Sequence, residues 1–124
     1  KLVKTFEDVR DVNIFASVAN YYAEEASPER LDWFTNRLSQ LGNTELYQVM
    51  GIFGTYLIQS DKGIQLAALP FLKNMAINKP QWFLRYAAVQ SMLLISDLSE
   101  VEAALKDVFE AEQDQRLKDV YANY

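Results

Sequence analysis

The sequence predicts an all-helical domain of stacked antiparallel helix pairs, and three observations lead to that prediction. Apolar residues recur every three or four positions along most of the chain, as they do on one face of an α-helix. No segment shows the strict apolar–polar alternation of a half-buried strand. About six to seven helical segments are separated by short connections, so successive helices should pack antiparallel, as in an α-helical superhelix fragment.

The composition is that of one globular domain covering residues 1–124. Half of the 124 residues are apolar, 13% are aromatic, and only 4 are Gly and 3 are Pro. A chain of this length can bury a core without disulfides or a structural metal. The first residue is Lys1 rather than Met, so we expect the chain to be a piece of a longer polypeptide. No stretch has the ~18 apolar residues that span a bilayer, so membrane insertion is not expected.

The first three predicted helices cover Phe6–Glu25, Pro28–Leu41 and Glu45–Gln59. Ser27 and Pro28 suit the N-cap and the first position of the second helix. Gly42 is expected to end that helix in a left-handed conformation. Asn43 or Thr44 is expected to cap the third helix.

Two glycines lie inside the third predicted helix. Gly51 and Gly54 should each cost about 1 kcal/mol relative to Ala in a helix. Together they predict that a neighbouring helix approaches the backbone closely. A small-residue dimer motif is the alternative interpretation.

The later predicted helices cover Lys62–Ile77, Pro80–Ser96, a segment from Ser99 to about Glu112, and a short segment after Asp114. Ser60 and Asp61 are expected to open the first of these, and Pro70 should kink it. Asp114 is expected to cap the last short segment. Ser99 with Glu102 reads as a capping box.

The segment Pro80–Ser96 is apolar on nearly every side, which predicts a helix at the centre of the domain. Leu93 and Leu94 are therefore expected in the core.

The absence of histidine and cysteine excludes most catalytic chemistry. No Ser–His–Asp or Cys–His arrangement, imidazole zinc site or disulfide can form. General acid–base catalysis would have to use carboxylates, Lys or Tyr. We therefore predict no catalytic, cofactor-binding or metal-ligating residue in this chain.

The acidic residues form three groups: Glu24 with Glu25; Asp97, Glu100 and Glu102; and Glu110, Glu112 and Asp114. The second group is expected to cap a helix and offset its dipole. Calcium binding is the more specific hypothesis for the third group, but it is disfavoured because the Gly turn and ligand alternation of a calcium loop are missing.

Arg85 lies among apolar residues and has two interpretations. It either clamps an anion or pairs with a carboxylate or helix-end carbonyls inside the stack, and the second is favoured because such charges are rarely left unpaired. Trp33 and Trp82 are expected in the core, with interface anchors as the alternative. The net charge of −5, with no basic cluster larger than Lys1 and Lys4, argues against nucleic-acid binding.

Several stretches of the chain resemble known helical domains. The unit from Gly63 to Ile95, with its internal Pro and its second helix starting at Trp82, resembles a HEAT-type repeat. The stretches Ser27–Phe34, Trp82–Ala88 and Glu112–Leu117, the last followed by Tyr121, resemble the C-terminal helical region of zinc aminopeptidases of the aminopeptidase N type.

That resemblance implies a non-catalytic C-terminal scaffold or cap that packs on the parent's catalytic domain, where the zinc and its ligands reside. No catalytic motif of the family occurs in this chain, so no catalytic residue carries over. A HEAT-type adaptor that binds another protein is the alternative. A stand-alone enzyme that uses only carboxylates and Tyr is a third hypothesis.

Overall fold

The computed structural model describes residues 17, 19–21 and 30–124, and these residues contain no strand. Six helices follow one another in residues 30–124: α1 (Leu31–Gln40), α2 (Asn43–Gln59), α3 (Lys62–Asn78), α4 (Trp82–Leu93), α5 (Ser99–Ala111) and α6 (Gln115–Tyr121). Residues 17 and 19–21 are also helical, and Ala19 is buried. The all-helical prediction is confirmed. Most of the predicted helix Phe6–Glu25, together with Ser27, Pro28 and the acidic pair Glu24–Glu25, lies outside the described residues.

Two of the predicted caps are confirmed. Asp61 precedes α3 in extended backbone, and its carboxylate accepts a hydrogen bond from the Ile64 amide at 2.9 Å. Asp114 precedes α6 and accepts one from the Arg116 amide at 2.9 Å. Each carboxylate satisfies an amide that has no partner within its own helix.

The junction of α1 and α2 differs from its prediction. Gly42 has φ −67° and ψ 165°, so it is extended rather than left-handed, and it is the N-cap of α2. Its amide donates to the Glu45 carboxylate at 3.3 Å. The sequence-based assignments of Gly42 as a C-cap and of Asn43 or Thr44 as the next cap are wrong, because Leu41 already ends α1 and α2 starts two residues later.

The capping box predicted at Ser99 and Glu102 is also wrong. Leu98 is the N-cap of α5, and Ser99 is already helical. The Ser99 hydroxyl donates a hydrogen bond to the Glu100 carboxylate at 3.1 Å instead of accepting one from a backbone amide. Glu100 and Glu102 do lie in the first turn of α5, where negative charge offsets the helix dipole.

The helices form two layers. In one layer α3 lies between α1 and α5 and contacts both, and in the other α2 contacts α4. Tyr47 and Phe83, near the starts of α2 and α4, are in edge-on contact at 5.6 Å between ring centroids. Gly54, further along α2, lies beside Leu94 at the end of α4. The helices α2 and α4 are therefore parallel, and α3, which joins the end of one to the start of the other, runs antiparallel to both, as the sequence predicts.

The core lies between the layers and includes a ring cluster. Phe34 of α1 contacts Phe53 and Tyr56 of α2, with ring centroids 5.5 and 4.5 Å apart. Phe53 also contacts Phe71 of α3 at 5.9 Å. The helix α3 continues through Pro70, which is exposed. None of the helices in the described part of the chain has both the length and the apolar character needed to cross a membrane.

The helix α4 is central, as predicted, because it contacts α2, α3 and α5. Its buried side includes Leu84, Val89 and Met92, and Ile95 extends that side beyond the helix. The placement of Leu94 in the core is wrong, because Leu94 is 52% exposed, whereas Leu93 is half-buried and packs against the core. The helix ends at Leu93, and Leu94 shares a helix face with Gln90 rather than with Leu84.

Candidate interaction surface

Arg85 is held inside the fold by a buried ion pair. Its Nε and Nη2 atoms each donate to one carboxylate oxygen of Glu112 at 3.0 Å. Its Nη1 atom donates to the carbonyls of Lys79 and Pro80 at 2.8 and 2.9 Å. The prediction that Arg85 pairs with a carboxylate and with helix-end carbonyls is confirmed in both parts. All three of its nitrogens are engaged, so the structure does not support an anion clamp.

Glu112 is the carboxylate partner that the sequence did not single out. Its side chain is only 1% exposed. Besides Arg85, it accepts hydrogen bonds from the amides of Gln113 and Asp114 at 3.1 and 2.9 Å. A buried carboxylate with four donors is a satisfied structural group.

The third acidic group is divided between two salt bridges. Glu112 pairs with Arg85, whereas Asp114 pairs with Arg116 at 2.8 Å. The hydrogen bond from the Arg116 guanidinium is the main reason why the pKa of Asp114 is lowered to about 2. Among the described residues, no three carboxylates converge where a metal ion could be held.

Two buried tyrosines are poorly suited to acid–base work near neutral pH. Burial raises the pKa of Tyr56 to about 12. Burial, with the nearby negative charge of Glu112, also raises the pKa of Tyr121. A general base works best when its pKa lies near the working pH, so both shifts are in the unfavourable direction.

A cavity of about 560 Å³ beside α5 is the nearest approach to a carboxylate-lined pocket. Glu102 and Glu110 lie on its wall with Lys106 between them, and Leu105 and Phe109 form its apolar side. The two carboxylates belong to positions two helical turns apart, roughly 12 Å along the axis. That separation exceeds the distance over which a carboxylate pair shares one reacting group.

The exposed side of the second layer, which we call the α2–α4 face, has a different character. It consists of two rows of residues at matching spacing: Tyr47, Gly51, Gly54 and Ile58 from α2, and Phe83, Ala87 and Gln90 from α4 followed by Leu94, the C-cap of that helix. Tyr47 is 50% exposed and Ile58 is 53% exposed. No member of either row is charged.

An open groove of about 400 Å³ lies between the two rows and is lined by all of their members except Ile58 and Phe83. Gly54 and Ala87 are buried at its floor, and a Cβ atom added at Gly54 would lie 2.9 Å from Cδ1 of Leu94. A Cβ atom added at Gly51 would meet nothing within 4 Å. The predicted close approach of a neighbouring helix is therefore confirmed at Gly54 and wrong at Gly51, which borders open space.

Three polar side chains line this groove without hydrogen bonds to any residue that the structure describes: Gln48, Gln90 and Ser91. Gln48 and Gln90 are exposed, whereas the residue Ser91 is only 4% exposed. The Ser91 oxygen lies 3.8 Å from the position of a Cβ atom on Gly54. Each unpartnered group can accept or donate a hydrogen bond to a molecule in the groove.

The two tryptophans differ in placement. Trp33 is half-buried against the core and contacts Phe34 edge-on at 5.1 Å, as predicted. Trp82 is 40% exposed and does not belong to the core, so its core assignment is wrong. It lies beside Phe83 at one end of the α2–α4 face, and the Arg116 guanidinium is 4.8 Å from its ring centroid.

No protein family, curated protein or solved structure matches this chain. The sequence and the geometry described above are therefore the basis for any functional assignment.

Proposed function

We propose that this chain is a non-catalytic helical scaffold that packs against another protein domain through the α2–α4 face. The observation that carries the proposal is the exposed, uncharged character of this face. Tyr47, Ile58 and Leu94 are each about half exposed although the core beneath them is fully formed. The centres of interfaces are depleted in charge, and this face has no charged residue.

The partner we propose is the catalytic domain of a zinc aminopeptidase of the aminopeptidase N type, with this chain as the C-terminal cap of the same polypeptide. The resemblance of Ser27–Phe34, Trp82–Ala88 and Glu112–Leu117 to that family supports this assignment. The structure adds that Arg85 and Glu112, which belong to two of these stretches, bind each other. The catalytic zinc would belong to the parent's separate domain.

The second candidate is a HEAT-type adaptor, favoured by the two-layer order in which α2 lies beside α4 and α3 lies between α1 and α5. An adaptor would present the same face to a separate protein. The full-length gene product distinguishes the two candidates. A zinc aminopeptidase would carry an H-E-x-x-H motif upstream, whereas an adaptor would carry further helical repeats.

A zinc and activity assay tests the non-catalytic role. The isolated chain should bind no stoichiometric zinc after dialysis and should hydrolyse no aminoacyl-naphthylamide substrate. Metal analysis and a fluorescence assay measure both quantities, with a known zinc aminopeptidase as the positive control. One tightly bound zinc per chain, or chelator-sensitive hydrolysis, would contradict the proposal.

A charge placed on the α2–α4 face tests the packing. In the full-length protein, Ile58→Lys should loosen the domain contact, because the lysine would lose its hydration on a face that carries no charged residue of its own. Limited proteolysis should then separate the domains at least several-fold faster. Ala103→Lys, at an exposed position of α5, is the matched control and should leave the rate unchanged. Equal rates for the two variants would exclude this face as the contact.

A further inference from the structure

We infer that the groove of the α2–α4 face binds an extended, uncharged peptide segment that inserts a bulky apolar side chain beside Gly51. The inference deepens the proposed protein-binding role and rests on it. It assigns a binding site and the chemistry of its occupant.

The first argument concerns charge. Glu45 and Arg85 are the only ionisable side chains that carry charge at neutral pH in α2 and α4. Glu45 accepts a hydrogen bond from the Gly42 amide, and Arg85 is engaged by Glu112. A charged occupant would find no opposite charge in the groove and would lose its hydration without compensation. The contacting part of the occupant is therefore uncharged.

The second argument concerns hydrogen bonding. The amides of Gln48 and Gln90 come from α2 and α4 and have no partner among the described residues, and the same holds for the hydroxyl of Ser91, which lines the groove. An extended peptide carries backbone amides and carbonyls that need partners when water is removed. An α-helix satisfies these groups internally. The unpartnered donors and acceptors therefore favour an extended occupant.

The third argument concerns size. From Tyr47 to Gly54 the groove runs along seven residue steps of α2, roughly 10 Å at the rise of an α-helix. Roughly three extended residues fit this length. The open space at Gly51 admits the apolar side chain of one of them.

A selection from a random dodecapeptide library displayed on phage tests the inference with the full 124-residue chain. Selected peptides should share a short uncharged stretch with one bulky apolar residue. Gly51→Leu should weaken their binding at least tenfold, because its side chain would fill the space that the peptide uses. Gln90→Leu should weaken it several-fold. Ala103→Leu adds a leucine on the exposed side of α5 and should change nothing.

Four results would overturn the inference. They are the absence of enriched peptides, enrichment of charged peptides, equal binding to the Gly51→Leu variant, and selected peptides with apolar residues at helical spacing. Analytical ultracentrifugation adds a further check: a dimer that Gly51→Leu dissociates would mean that a second copy covers the groove. None of these results involves zinc or peptidase activity, so failure of this inference is distinguishable from failure of the proposed function.

Discussion

The exposed sides of α5 and of the α2–α4 layer differ in charge. The exposed positions of α5 include Glu100, Glu102, Lys106, Asp107 and Glu110. The exposed positions of α2 and α4 include no charged residue, although the two helices together are more than twice as long as α5.

This difference indicates which surface is adapted to water. Mixed charges keep an exposed helix solvated and prevent association, as on α5. Tyr47, Ile58 and Leu94 are half exposed with no charged residue among them, and such a surface favours association instead. If this interpretation holds, residues on the α2–α4 face should matter little for folding. The predictions below test that consequence.

The largest expected effect lies at the ion pair between α4 and the end of α5. Arg85→Met should lower the free energy of unfolding by about 3–5 kcal/mol, because it leaves the Glu112 carboxylate buried without its cation. Urea denaturation measures the loss. Lys73→Met removes the exposed pair with Asp107 and is the control, with an expected loss under about 1 kcal/mol. Similar losses for both variants would show that the pair of Arg85 with Glu112 stabilises the fold no more than the exposed pair of Lys73 with Asp107 does.

The next effect compares two leucines near opposite ends of α4. Leu84→Ala should cost about 2–5 kcal/mol, because Leu84 is fully buried and its removal leaves a cavity. Leu94→Ala should cost less than about 0.5 kcal/mol, because Leu94 is half exposed. Urea denaturation of both variants gives the comparison. A loss at Leu94 as large as at Leu84 would mean that the α2–α4 face is part of the core.

The smallest effect concerns the two glycines. Gly51→Ala should raise the stability of the domain by up to about 1 kcal/mol, because Ala is the better helix former and its methyl group meets no atom. Gly54→Ala should gain less, since Leu94 must move away from the new methyl group. Thermal unfolding monitored by circular dichroism measures both. A destabilised Gly51→Ala variant would contradict the open groove.

Much of the fold could be predicted from residue spacing. Helices α2 and α3 begin and end within two residues of their predicted limits, because their apolar positions repeat at helical spacing up to clear boundary residues. The caps at Asp61 and Asp114 were predictable because a carboxylate before a helix has one favourable partner, the free amides of the first turn. Gly42 was not predictable in this way, because a Gly suits either end of a helix.

The candidate surface was less predictable. An apolar helix such as α4 indicates burial on more than one side, but spacing alone does not identify which apolar residues remain exposed, and Leu94 and Trp82 were misassigned for that reason. The presence of Gly51 and Gly54 suggested a close contact, yet only Gly54 faces Leu94. The absence of charge from α2 and α4 was visible in the sequence and is the signal that could have identified the face.

The guanidinium of Arg85 also has a consequence for loop length. It joins the carbonyls of Lys79 and Pro80 to the carboxylate of Glu112, so one side chain fixes the end of α3, the start of α4 and the end of α5. An insertion between residues 79 and 85 would displace these groups and disrupt several hydrogen bonds at once. The connection between α2 and α3 is held locally, by hydrogen bonds from the side-chain amide of Gln65 in α3 to the carbonyls of Leu57 and Ser60. An insertion after Gln59 should therefore disturb only two helices, whereas an insertion after Lys79 should disturb three.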